Sequence, residues 1–134
     1  MLPKKNRIHT RFEFGKVKKF GDPYRYRYFY LYALPTSRLE KISNGRWDIG
    51  GQSQVGFLMS NKLHKDAVVR NKIKRLFRES VRLNFDKIPT GWWLVFHPRF
   101  ICVGASYEEL NTEITAVLQK LSVTGKVGVK NLPV

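Results

Sequence analysis

Between residues 67 and 85 the apolar and basic side chains separate onto two sides of a helix. At 100° per residue, Val69, Ile73, Leu76, Phe77, Ser80 and Val81 share one arc. Arg70, Asn71, Lys72, Lys74, Arg75, Arg78 and Arg82 share the opposite one. Few folds accommodate such a segment. Its apolar face must be covered by a sheet or another helix, while its basic face must stay in water or meet an anion. Arg70, Lys74 and Arg78 stand at i, i+4 and i+8 with like charge. That spacing costs an isolated helix a few tenths of a kcal/mol per pair. A polyanion on this face would offset the cost.

The rest of the charge has the same lumpy distribution. The 134 residues carry 25 Lys and Arg against 10 Asp and Glu, a net +15. Residues 1–27 hold +7 and residues 62–82 hold +6, which leaves +2 for the rest of the chain. Self-repulsion of this size destabilises a small body, and two concentrated patches read as a binding footprint. The hydrophobic share of 43% is that of a single globular domain and argues against disorder.

The remaining elements follow from periodicity and caps. Thr10-Arg11-Phe12-Glu13 is a capping box, Phe14 and Val17 follow on one face, and Gly21 is a stop, so a helix is expected over 11–19. Residues 24–34 read as one strand. Tyr26, Tyr28, Tyr30 and Tyr32 would form a ladder on one face and Phe29, Leu31 and Ala33 would face the core. Residues 35–53 read as a connection in which Asn44-Gly45 signals a hairpin turn, with a further strand guessed within 46–50. Residues 54–60 form a strand, as do residues 92–96. Ser106-Tyr107-Glu108-Glu109 opens a last helix with Leu110, Ile114, Val117, Leu118 and Leu121 on its seam, and 123–134 reads as a flexible tail. The order α-β-β-(β)-α-β-α makes an α+β single domain, a small sheet packed by helices.

Chemistry of the chain's own is hard to find in this sequence. His9, His64 and His97 lack a second His or Cys at ligand spacing, so no metal site is expected. No Ser-His-Asp grouping, phosphate-binding glycine loop or carboxylate pair is present, so no catalytic residue is expected. Cys102 stands alone beside an apolar strand, as a buried thiol would in a reducing cytoplasm. The longest apolar run, Trp92–Phe96, is far too short to span a bilayer, so a cytoplasmic protein with no membrane partner is expected. Among polyanions, lipid conflicts with the helix face needed by the sheet, and the strand-rich setting does not suit a DNA-reading helix-turn-helix. Single-stranded RNA suits the tyrosines, because unstacked bases lie on aromatic rings.

The segment Arg70-Asn71-Lys72-Ile73-Lys74-Arg75-Leu76-Phe77-Arg78 resembles the signature helix of the bacterial ribonuclease P protein subunit. Asn6-Arg7-Ile8, Phe14, Val17 and Gly21 resemble that family's first helix region, and Phe29-Tyr30-Leu31-Tyr32 its first strand. Val55-Gly56-Phe57 and Ser60-Asn61-Lys62 resemble the strand and loop before the signature helix, so the likeness spans about residues 5–122. The resemblance implies a ribosomal-protein-S5-domain-2-like fold with a left-handed βαβ crossover. It implies a subunit that binds a large catalytic RNA and the 5′ leader of precursor tRNA and assists Mg²⁺-dependent removal of that leader. The active site and the Mg²⁺ would belong to the RNA. Carried over, Lys62, Arg70, Asn71, Lys72, Lys74, Arg75 and Arg78 would contact RNA, and Phe14 and Tyr32 would line the leader cleft. Two departures stand out: Lys18 replaces a second cleft aromatic, and Asn61 with His64-Lys65 alters the loop. The alternative is a general or ribosomal RNA-binding protein without a role in cleavage.

Overall fold

The computed structural model describes residues 6–8, 10–46, 52–60 and 63–124, with side chains to 121. Its elements are α1 (Arg11–Phe20), β1 (Asp22–Arg25), β2 (Phe29–Pro35), α2 (Thr36–Ser43), β3 (Gln54–Phe57), α3 (Ala67–Asn84), β4 (Trp92–Pro98) and α4 (Tyr107–Thr124). Both expected capping boxes form. Thr10 Oγ1 accepts from the Glu13 amide at 3.1 Å while Glu13 Oε1 accepts from the Thr10 amide. Ser106 and Glu109 exchange the same pair of bonds.

The four strands stand in the order β1-β2-β4-β3. β1–β2 and β2–β4 are antiparallel, and β3 runs parallel to β4, joined to it through α3. Alternation gives the sheet two buried faces. Phe29, Leu31, Val55, Leu94 and Phe96 point to one side, where Ile73, Phe77 and Val81 of α3 and the α4 seam cover them. The ring of Phe77 meets that of Phe29 edge-on at 5.8 Å. Leu34, Trp93 and Val95 point to the other side, covered by Ile8, by Val17 of α1 and by Leu39 of α2.

Two expectations need correction. Residues 24–34 are not one strand. The chain reverses at 26–28, so β1 and β2 form a hairpin. Opposite groups grip the turn: Glu113 accepts from the Arg27 and Tyr28 amides, and Arg99 Nη1 donates to the Tyr26 and Arg27 carbonyls. The four-rung tyrosine ladder therefore has only two rungs. Tyr26 and Tyr28 turn to the α4 side, where the Tyr28 hydroxyl donates to Glu109 at 2.8 Å. Pro23 is tolerated because β1 is an edge strand.

The second correction is α2, in the segment read as a connection. Asn44-Gly45 is not a hairpin turn. Asn44 adopts the left-handed conformation (φ 53°, ψ 38°), Gly45 follows at φ 74°, and their amides donate back to Lys41 and Glu40. The same residues that allow a tight hairpin also terminate a helix. The strand guessed within 46–50 falls almost entirely outside the described residues. The last helix runs to Thr124, two residues into the expected tail, and the rest of the tail is likewise outside them. Cys102 is buried, and burial pushes its thiol up to about 11.

Candidate nucleic-acid interface

The first surface is the outer face of α3. Asp66 caps the helix by accepting from the Val68 amide at 2.9 Å. Packing of Ile73, Phe77, Ser80, Val81 and Asn84 then fixes its rotation. Asn71, Lys72 and Arg75 are left exposed, and Arg70, Lys74 and Arg78 half-exposed along one flank. No carboxylate among the described residues lies within ion-pair distance of Lys72, Lys74, Arg75 or Arg78. Glu79 has paired with Arg82 at the end of the stripe. The Lys74 ammonium is pulled down first by partial burial and then by Arg78 beside it. These cations crowd one another, and an arriving anion would relieve them.

Arg70 differs from its neighbours. Its Nη1 donates to the His64 carbonyl at 2.7 Å, and the His64 ring accepts from the Asp66 amide. Arg70 thus braces the loop before α3 as well as adding charge. Lys62 lies outside the described residues.

The second surface is on the other side of the sheet, beside α1. Phe14 is half-buried and its ring lies against Gly56, where an added Cβ would come within 2.9 Å of it. Tyr32 is half-buried on the same face, and the register Tyr32–Val95–Gly56 places it on Phe14's row. Phe14 and Tyr32 therefore share one row on this face of the sheet, while the α3 residues belong to a separate surface.

Sequence reasoning missed the outer part of this face. The next row out is Arg25–Tyr30–His97, paired across β1, β2 and β4. The Tyr30 and His97 rings lie 6.2 Å apart, and the Arg99 guanidinium sits 5.4 Å from the Tyr30 ring centre. The signal that could have found His97 is the Trp93–Val95–His97 alternation, hidden because Pro98 reads as the end of a strand at Phe96. Pro98 is instead the last paired residue of β4.

Lys18 lies close enough to this row for its charge to act on His97. Burial, and then the Lys18 charge, hold the His97 imidazole below its ordinary value, and its Nδ1 is buried without a hydrogen-bond partner. The folded state therefore resists protonation of His97. The stability this contributes is present above the ordinary histidine value near 6.5 and is lost as pH falls through the lowered one. Lys18→Ala should move the His97 NMR titration part of the way back towards 6.5. An unmoved midpoint would show that Lys18 does not face the ring.

Together these surfaces offer a stripe of cations with no ion-paired carboxylate among the described residues and an aromatic, basic-edged row, on opposite sides of one sheet. Among the described residues no helix is long and apolar enough to cross a membrane. A family model described as Ribonuclease P matches residues 2–122. The ribonuclease P protein component of Clostridium botulinum is 32% identical over 121 residues, covering 90% of this chain and 97% of that protein. That of a Pseudanabaena species is 30% identical over 123 residues, covering 92% and 97%. The solved structure of the Staphylococcus aureus RNase P protein is similar in fold, with a TM-score of 0.69 at 23% identity, covering 91% of this chain and 96% of that one. With residues 2–122 matched by the family model and relatives 30% and 32% identical over nine-tenths or more of both chains, the chain belongs to the ribonuclease P protein family, as a subunit of the tRNA 5′-maturation enzyme.

Proposed function

We propose that this subunit grips the catalytic RNA with the outer face of α3 and holds the 5′ leader of precursor tRNA in the cleft between α1 and the sheet. The observation that carries the reading is the set of four cations on α3 with no carboxylate in reach among the described residues. A solvated helix face ordinarily mixes signs for i,i+4 pairing. This one is built for phosphates that the chain itself does not supply. The cleft suits a single strand, with Phe14, Tyr32 and Tyr30 for bases and Lys18, Arg25 and Arg99 for phosphates.

Mg²⁺ is assigned to the RNA subunit and the substrate. The described residues include no group of three or more His, Cys, Asp or Glu side chains able to hold the ion. The protein's part is to neutralise phosphate charge and align the leader, which strengthens binding of precursor over product.

The test is reconstitution of the full chain with a bacterial ribonuclease P RNA at low Mg²⁺. Precursor tRNA should be cleaved faster than by RNA alone and bound more tightly than mature tRNA. Tighter binding of both tRNAs alike, with no gain in cleavage, would identify a general RNA-binding protein instead.

A further inference from the structure

We infer that Arg38, on α2, is a positioning residue that sets the cleft by clamping the far end of α1. This deepens the leader-cleft reading and rests on it.

α1 is weakly held by packing alone. Val17 is its one fully buried residue, and Phe14 and Phe20 are only half-buried. Its ends are tied instead. At the start, the Ile8 amide donates to the Val55 carbonyl and Asn6 Nδ2 donates to the Ser53 carbonyl, both at 2.9 Å. At the finish, the last helical carbonyls have no partner within the helix. Arg38 Nη1 donates to one of them, Phe20 O, at 2.9 Å, while Nη2 donates to Asp22 Oδ2 at 3.1 Å. One planar guanidinium thus joins the last residue of α1 to the first of β1, and its positive charge sits at a helix C-terminus, where it is favoured.

The clamp is itself anchored. Leu39, the next residue, is 1% exposed and packs in the cluster that holds Val17, Leu34 and Trp93. Thr36 at the start of α2 donates its amide to the Gly91 carbonyl. The rows of the sheet place α2 on the Leu34–Trp93 side of α1 and the open Tyr30–His97 row on the other. Arg38 therefore fixes α1 from behind, and Phe14 and Lys18 present the front of that helix to the leader. This gives the segment read from sequence as a connection a role in the cleft.

The experiment uses holoenzyme reconstituted from the full chain. Affinities for precursor and mature tRNA are measured for Arg38→Ala, Arg38→Lys, Phe14→Ala and the Arg38→Ala/Phe14→Ala double variant, with amide exchange of the free proteins alongside. Arg38→Ala should cut the preference for precursor by about 5-fold and speed α1 exchange about 10-fold, with α3 and α4 exchange unchanged. Arg38→Lys, which can reach only one of the two acceptors, should fall between. The double variant should lose no more preference than Phe14→Ala, since both act on one wall. Multiplicative losses, equal weakening of both tRNAs, or α1 exchange that does not change would each overturn the inference. A Phe14→Ala variant with full precursor preference would instead overturn the leader-cleft reading, leaving the exchange result to decide whether Arg38 clamps α1.

Discussion

Replacing Lys72, Arg75 and Arg78 together with alanine should weaken binding to ribonuclease P RNA by about 50–150-fold near physiological salt and flatten its salt dependence. The estimate comes from counterion release. Each phosphate contact contributes roughly 0.7–0.9 to the slope of log K against log salt, so three lost contacts remove about 2–2.7. At about 0.15 M that is close to two orders of magnitude in affinity. Folding should be almost untouched, because none of the three has an ion-pair or hydrogen-bond partner among the described residues, and Lys72 and Arg75 are exposed. Removing like charge at i,i+3 and i,i+4 relieves a small repulsion, so the thermal midpoint should hold or rise slightly. Arg70→Ala should behave differently. It adds loss of the bond to the His64 carbonyl, so it should disorder the loop before α3 as well as lower the slope. A triple variant with an unchanged salt slope would remove α3 from the RNA contact.

The reasons α3 was legible in the sequence also explain what was not. Its eighteen residues repeat the helical period five times, and Asp66 caps its start, so local chemistry and tertiary packing agree. The same holds for α1 and α4, whose capping boxes are purely local. The β1–β2 hairpin was illegible because its turn is held by Glu113 and Arg99, more than seventy residues away in sequence. Nothing within 24–34 announces them. α2 was illegible for another reason. Eight residues are too few for a period to declare itself, and the left-handed Asn44-Gly45 pair serves hairpins and helix ends alike. The candidate site divides along the same line. The α3 residues are one continuous motif, whereas the cleft gathers Phe14, Tyr30, Tyr32 and His97 from three elements. Its outer row depends on a register that only the paired strands define.

That dependence on register yields a prediction at a residue with no side chain. Gly56→Ala should lower stability by about 1–3 kcal/mol and abolish most of the preference for precursor tRNA. A Cβ at residue 56 would lie 2.8 Å from Ile8 Cβ and 2.9 Å from two atoms of the Phe14 ring, closer than carbon atoms pack. β3 cannot yield easily, because Gly56 is paired with Val95 in the middle of a four-residue ladder. Ile8 Cβ cannot swing away, being one bond from a backbone tied to the Val55 carbonyl. The first helix must therefore lift, and Phe14 leaves the row it shares with Tyr32. Gly15→Ala is the matched control on the same helix. An added Cβ there meets nothing within 4 Å, so it should gain about 0.5–1 kcal/mol from helix propensity and leave the leader preference intact. Chemical unfolding and precursor-against-mature binding measure both effects. If Gly56→Ala were as stable and as selective as the parent, α1 would not rest on β3, and the cleft assigned to the leader would have lost its floor.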